Sequence, residues 1–342
     1  MKVSRGKRFW GGVGLAAVGL VVAATSMAPG SLAFSKNNKE TQHVTSSVVQ
    51  AQGPEVVLQV PWGSEKEALG RVDGDESASV GPMSFAIGQD GSVWFLDQSK
   101  FRLARFGKNG FEREVGIGSE TFQDVEIASD GSFVLLDRLV ERAVVVMAPS
   151  GNIVERIPVQ GEGIEDAGLV TAMWLDASGV WLEHLHTHRV RVLDENLRPC
   201  ERQVLRGREV AEGRDVLGAR DDRGNVSLWI EDRMGGNGRQ VVVSAPEEIG
   251  RIIWLQSDPY GNIYAAFHLL AFDPDDPARG VVDRNYGLRY DKNLQETGKW
   301  LSPWTIRQWE QYREVRVQSD GTVWQMGFED GGVVVARWRW EA

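Results

Sequence analysis

The chain of 342 residues is almost without cysteine, and Cys200 stands alone. A lone cysteine forms no intramolecular disulfide and cannot build a cysteine zinc site. Nothing near it marks it as a nucleophile, so it is expected to be a buried, inert thiol. The familiar catalytic signatures are missing too. There is no Gly-x-Ser-x-Gly elbow, no His-Glu-x-x-His, no P-loop and no dinucleotide fingerprint. Basic charge is scarce. Past the first eight residues, 34 Lys and Arg face 48 Asp and Glu, a net charge of −14. That excludes the basic face which nucleic acid or an anionic membrane surface would require. A hydrophobic content of 42% with 25% charged residues still describes a folded globular chain.

The single long uncharged run lies at the start. Lys2, Arg5, Lys7 and Arg8 precede Phe9–Ser35, whose apolar heart is Val13–Ala24. A positive flank, a short apolar stretch and then small residues form the layout of an export signal. Ser31-Leu32-Ala33 offers a cleavage site before Phe34. The competing reading is an uncleaved anchor through residues 9–28, because about 20 residues can span a bilayer. With either reading the basic flank stays inside and the remainder is exported, to the cell envelope or beyond it. No cysteine lies near the segment, which excludes a lipoprotein anchor. Residues 34–53 are polar and unpatterned, as expected of a disordered linker. The expected domains are therefore 1–33, signal peptide or membrane anchor; 34–53, flexible linker; and 54–342, the folded body.

That body repeats itself. Gly turns fall at Asp90-Gly91, Asp130-Gly131, Ser178-Gly179, Arg223-Gly224, Tyr260-Gly261 and Asp320-Gly321, spaced 40, 48, 45, 37 and 60 residues apart. Each is followed by a strand-like run such as Val93–Leu96, Val180–Leu182 or Val323–Met326. Aromatic and β-branched residues between Gly turns indicate strands rather than helices. Units of this length match the roughly 40–50 residues of a propeller blade. The fold expected is all-β, a six-bladed β-propeller preceded by the signal or anchor segment and the linker. The lone strand Glu55–Val60 is expected to complete the last blade, beside its own third strand at Val333–Trp338, which removes open sheet edges.

The first three units align without gaps through their second turn. Asp97 to Leu103 matches Asp137 to Ala143 and His184 to Val190, each with Arg before an aliphatic residue. This pattern resembles the NHL repeat, and Thr187-His188-Arg189-Val190 is close to that family's Asn-His-Arg-Val. The resemblance covers about half the chain well, and blades 4–6 only through their Gly turns. Such sequences are similar to the regucalcin/gluconolactonase and virginiamycin B lyase propellers. The resemblance implies the fold and carries very little about function. In lactonase-type propellers a metal is held around the central channel by acidic and Asn side chains, and no such set maps onto this chain position by position.

Function is expected where the pattern breaks. Blade 5 holds an insertion between Phe267 and Gly287, and a long connection, Gly298–Tyr312, separates blades 5 and 6. Second-to-third-strand turns and links between blades share one face of a propeller. Both segments and the His184–His188 turn should open there, facing a protein partner or a small-molecule ligand.

His184, His186 and His188 alternate, so an extended turn would aim three imidazoles to one side, able to hold zinc, copper or nickel. The plainer reading is a surface turn, with His188 supplied by the repeat. Asp273, Asp275, Asp276 and Asp283 crowd the blade 5 insertion and suit calcium, although the EF-hand spacing fails; a solvated acidic loop is the alternative. Arg102, Arg142 and Arg189 recur at one repeat position. They form either a ring of guanidinium groups for a carboxylate or phosphate, or salt bridges to acids such as Asp97 and Asp137. Trp300, Trp304 and Trp309 either rim a ligand mouth or pack onto the blades, with Trp304–Tyr312 as a short helix. Two functions stay open. One is an exported binding or scaffolding module without cofactor. The other is a metal-dependent propeller hydrolase, lactonase or lyase.

Overall fold

The computed structural model describes residues 48–74, 78–210, 213–233, 238–272, 281–306 and 309–340. The signal or anchor segment and residues 34–47 of the expected linker lie outside them, as do Asp273, Asp275 and Asp276. Alternating, β-branched-rich segments between Gly turns pair into six sheets of four or more strands, one per blade. Blade 1 runs Ser84–Ile87, Val93–Asp97, Arg102–Gly107 and Gly110–Gly116. Blade 2 (Asp124–Pro158) and blade 3 (Val170–Arg206) repeat that order. Large apolar side chains fill the seams between blades. Trp94, Leu103, Phe122, Phe133 and Val145 pack blade 1 on blade 2, while Phe85, Phe95, Met326 and Val335 pack blade 6 on blade 1.

The first-to-second-strand turns show why Asp and Gly recur. Asp90 and Asp130 accept hydrogen bonds from the backbone N–H two residues on, at 3.1 and 2.9 Å. Gly91 and Gly131 then adopt φ of +79° and +82°, a region that suits glycine because it lacks Cβ.

The ring closes as the lone strand suggested. Gln52–Pro61 pairs antiparallel with Gly332–Arg339, making the N-terminal strand the outermost of blade 6. Pairing begins earlier than expected, because Val49–Gln50 lies parallel to Gly298–Lys299 at the edge of blade 5. Part of 49–53, assigned above to the linker, therefore belongs to the sheets.

Four local expectations need correcting. In blade 4 a short strand, Arg208–Val210, pairs in front of Arg214–Arg220, so the Arg223-Gly224 turn joins the second and third strands in spatial order. In blade 5 the insertion lengthens two strands, Ile263–Phe272 and Val281–Tyr290, into a long hairpin. The stretch taken as a link, with a helix from Trp304, is instead the fourth strand of blade 5, Glu296–Thr305. The β-sheet alternation marks the strand: Trp300, Ser302 and Trp304 are buried while their neighbours face solvent. Cys200 is half-buried on the outer strand of blade 3, rather than in the core.

Candidate functional site

The innermost strands line the axis of the ring, and a cavity of about 470 Å³ opens among them. Its walls come from the C-terminal ends of the first strands: Ile87, Glu126, Trp174, Trp254 and Arg316, with Trp181 from the second strand of blade 3. The cavity therefore lies toward the face of the first-to-second-strand turns. Blade 4 contributes through its inserted strand, with Arg208 and Glu209.

One end of the axis is sealed. The link after Trp309 crosses it, where the N–H groups of Tyr312 and Arg313 both donate to Met83 O, at 2.9 and 3.0 Å. Tyr312 donates its hydroxyl to Val170 O at 2.9 Å. Below it, Arg313 is ion-paired to Asp124, donates to Met173 O at 2.8 Å and lies 3.9 Å from the ring centroid of Trp254. Asp124 is fully buried; burial pushes its carboxyl up, against the pull of Arg313 and Arg316. Arg316 closes the layer by donating to Glu126 Oε1 at 2.7 Å and Val125 O at 2.6 Å.

The open layer is different. Arg208 is 6% exposed, and its guanidinium carbon stands 4.0 Å from the ring centroid of Trp174 and 4.6 Å from that of Trp254. Among the described residues its one hydrogen-bond acceptor is Leu255 O. Among the described residues no carboxylate lies within ion-pair distance of it. Burial pulls its pKa down to about 10, partly offset by Glu183, so it remains a cation at neutral pH. Arg189, at the rim, binds Asp215 at 2.9 Å and Gly207 O at 2.6 Å; its buried Nη2 makes no hydrogen bond but is ion-paired to Glu209 Oε2 at 3.8 Å. Arg313 Nη1 likewise makes no hydrogen bond and is ion-paired to Glu126 Oε1 at 3.6 Å. A blind cup results, with indole walls, the Arg208 guanidinium, and the Arg189–Glu209 and Arg313–Glu126 ion pairs in its lining. Guanidinium donors suit a carboxylate or phosphate.

The sequence-derived candidates scatter. Leu185 and His186 take φ of +54° and +56°, and Thr187 N donates to His184 O, so the histidine turn is tight rather than extended. His186 turns inward, with Nδ1 2.7 Å from Glu183 Oε2 and Nε2 3.3 Å from Ile252 O. His184 and His188 face one another with ring centroids 4.8 Å apart, and His188 Nε2 is 2.6 Å from Gly163 O. Among the described residues no three His, Cys, Asp or Glu side chains are grouped to hold a metal.

The arginines at one repeat position occupy three environments. Arg102 is buried between Asp97, at 2.9 Å, and Glu114. Arg189 bridges to blade 4 through Asp215. Arg142 is exposed, at φ +52°, near Gln160 at 3.3 Å. The strands explain the difference. Asp97 pairs with Arg102, but Asp137 pairs with Ala143, so blade 2 carries one more turn residue and the gapless alignment slips there. Trp300 and Trp304 are core residues of the seam between blades 5 and 6; Trp304 donates to Glu329 Oε1 at 2.8 Å and meets Trp338 edge-on. Trp309 stacks on Trp62 with centroids 5.2 Å apart.

The cup was not foreseen, yet a signal was present. Two places before the opening residue of the turn in blades 1, 2, 3, 5 and 6 stand Ala86, Glu126, Trp174, Gln256 and Arg316. That is one first-strand position varying in chemistry where the neighbouring positions stay apolar. Arg208 had no such signal, because its strand lies outside the repeat.

No protein-family model and no curated protein matches the chain. Solved structures similar to it include a streptogramin B lyase, 12% identical with a TM-score of 0.41, over 81% of this chain and 100% of that one. A member of the DUF4221 family from Bacteroides vulgatus is 10% identical with a TM-score of 0.49, over 86% and 99%. A catalytically inactive virginiamycin B lyase from Staphylococcus aureus, with quinupristin, is 10% identical with a TM-score of 0.42, over 79% and 98%. At these identities and scores no residue's role passes from them to this chain.

Proposed function

We propose that the protein is an exported binding module whose axial cup receives a small anionic ligand. The observation that supports this most directly is Arg208, a buried cation held between two indole faces with no carboxylate within ion-pair distance among the described residues. Leaving a charge in that state costs folding free energy, and an anion entering the cup would remove the cost. Arg189 Nη2 and Arg313 Nη1, which make no hydrogen bond but lie 3.8 and 3.6 Å from Glu209 and Glu126, would add donors only in competition with those carboxylates, and a cavity of about 470 Å³ fits a small molecule. Export rests on the N-terminal pattern alone, and a mature N-terminus at Phe34 would establish cleavage.

Calorimetric titration with inorganic phosphate, glycerol phosphate, succinate and citrate tests the reading. At least one is expected to bind the wild type, and Arg208→Met is expected to weaken it at least tenfold. No binding by the wild type, or equal binding by the variant, would overturn it. The competing reading, a metal-dependent hydrolase, lactonase or lyase, needs a resident divalent ion such as calcium or zinc. A stoichiometric, chelator-removable ion in the purified protein would favour that reading instead.

A further inference from the structure

A second pocket, of about 310 Å³, lies at the other end of the blades, in the seam between blades 5 and 6. It is bounded by the late part of the second strand of blade 5, the start of that blade's first strand, and the link into blade 6. This is the face on which the sequence placed ligands, and the pocket shares no residue with the axial cup.

Three side chains cross it in line. Arg251 Nε donates to His268 Nδ1 at 3.0 Å, so the ring's other nitrogen, Nε2, carries the proton and faces Glu314 Oε1. Glu314 is only 2% exposed, and the His268 ring is its side-chain hydrogen-bonding partner, with no Lys or Arg ion-paired to it among the described residues. A buried carboxylate without a cation is costly. Arg251 is exposed and has no carboxylate partner among the described residues. Gln311, on the link, lines the same pocket with both its amide oxygen and its amide nitrogen buried and without partners. Leu270, Ile306 and Trp309 supply an apolar wall.

The pocket thus presents, among the described residues, a buried carboxylate with no Lys or Arg paired to it and an exposed guanidinium with no carboxylate paired to it, bridged by an imidazole, beside an apolar surface. We propose that it binds a zwitterion, a free amino acid or a short peptide. The ammonium end would meet Glu314 and the amide oxygen of Gln311, the carboxylate end would meet Arg251, and the side chain would lie on Leu270, Ile306 and Trp309. The volume is at the lower end of small-molecule sites, suited to one or two residues.

The test is calorimetric titration of the purified full chain with the free amino acids and a series of glycyl dipeptides. The best ligand is then repeated in N-acetylated and C-amidated form. Binding is expected for at least one zwitterion, with at least a tenfold loss on acetylation and a smaller loss on amidation. Those comparisons use wild-type protein, so they stand even if a variant fails to fold. Glu314→Gln is expected to reproduce the loss from acetylation, and Gln311→Ala a part of it. Arg208→Met is expected to leave zwitterion binding unchanged. The proposal is overturned if no zwitterion binds at millimolar concentration, or if the acetylated ligand binds as well as the free one. It is also overturned if Glu314→Gln binds like the wild type, or if Arg208→Met abolishes binding, which would move the ligand to the cup.

Discussion

Arg102 and Arg208 are the same residue at nearly the same burial, 4% and 6% exposed, in two regions built to different ends. Around Arg102, Asp97, Glu114 and the carbonyls of Lys66 and Ala68 take up its donors. Arg208 has one carbonyl and two indole faces. Burial alone therefore does not separate a structural arginine from a functional one. The separating property is whether its hydrogen-bonding capacity is already filled. A saturated guanidinium locks a turn to its strand, whereas an open one beside a cavity has capacity left for a ligand.

The comparison breaks most sharply at Asp97. Asp97→Ala strips Arg102 of its buried carboxylate and leaves the cation in the interior, which costs about 3 kcal/mol or more. Glu114 limits the loss, being a half-exposed second partner. Chemical denaturation should show this fall, while anion binding by the folded fraction stays as in the wild type. A comparable fall from Arg208→Met would mean that Arg208, too, is structural.

Acid titration separates two of the carboxylates that close the second strands. For Asp97, burial pushes the carboxyl up more strongly than Arg102 pulls it down, so this group binds its proton more readily folded than unfolded. Its contribution improves as pH falls. For Glu183 burial also acts upward, but His186 and Arg208 outweigh it and the pKa ends below the ordinary value. Here the unfolded state binds the proton more readily, so stability rises with pH. This contribution is complete above the ordinary glutamate range, about pH 4.3, and is lost as pH falls through the lower folded value. Glu183→Gln should flatten the acid limb of stability against pH. An unchanged slope would show that His186 and Arg208 do not hold Glu183 ionised.

In the cup itself, Arg208→Met removes a charge with no carboxylate in contact among the described residues, its longer-range attraction to Glu183, and its two cation–π contacts, worth roughly 0.5–2 kcal/mol each. It also removes a desolvation cost of similar order. The melting midpoint should therefore move little, while anion affinity falls at least tenfold, about 1.4 kcal/mol. Stability kept and binding lost is the signature that divides this arginine from Arg102.

Much of the frame was legible because the forces behind it are local. Asp and Gly at each turn report an Asx hydrogen bond and a positive φ, and both are set within five residues. Asp97 and Asp137 could likewise be read as strand ends. The failures came where distant pairing decides. Nothing local in Arg208–Val210 says that three residues will stand in front of the next hairpin. Trp300 and Trp304 looked like a decorated link because their partners, Trp340 and Trp338, lie dozens of residues away. Alternating histidines suggested a shared ligand face, but alternation holds only in an extended chain, and the left-handed turn at Leu185-His186 broke it. Arg142 misled through one extra turn residue, an offset that strand register shows and spacing by motif does not.

The smallest effect concerns the seal above the cup. Tyr312 fills the axis with its ring and ties the link to blade 3 by its hydroxyl, and burial pushes that phenol's pKa well up, so it stays a donor. Tyr312→Phe keeps the ring and removes the hydroxyl, leaving Val170 O without this donor. The expected cost is about 1 kcal/mol, read as a modest fall in the denaturation midpoint. The cup lies on the other side of the Arg313–Asp124 pair, so its affinity for an anion should not change. If affinity falls together with stability, the link and the cup are one coupled unit, and the division between saturated frame and open site would have to be redrawn at Arg313.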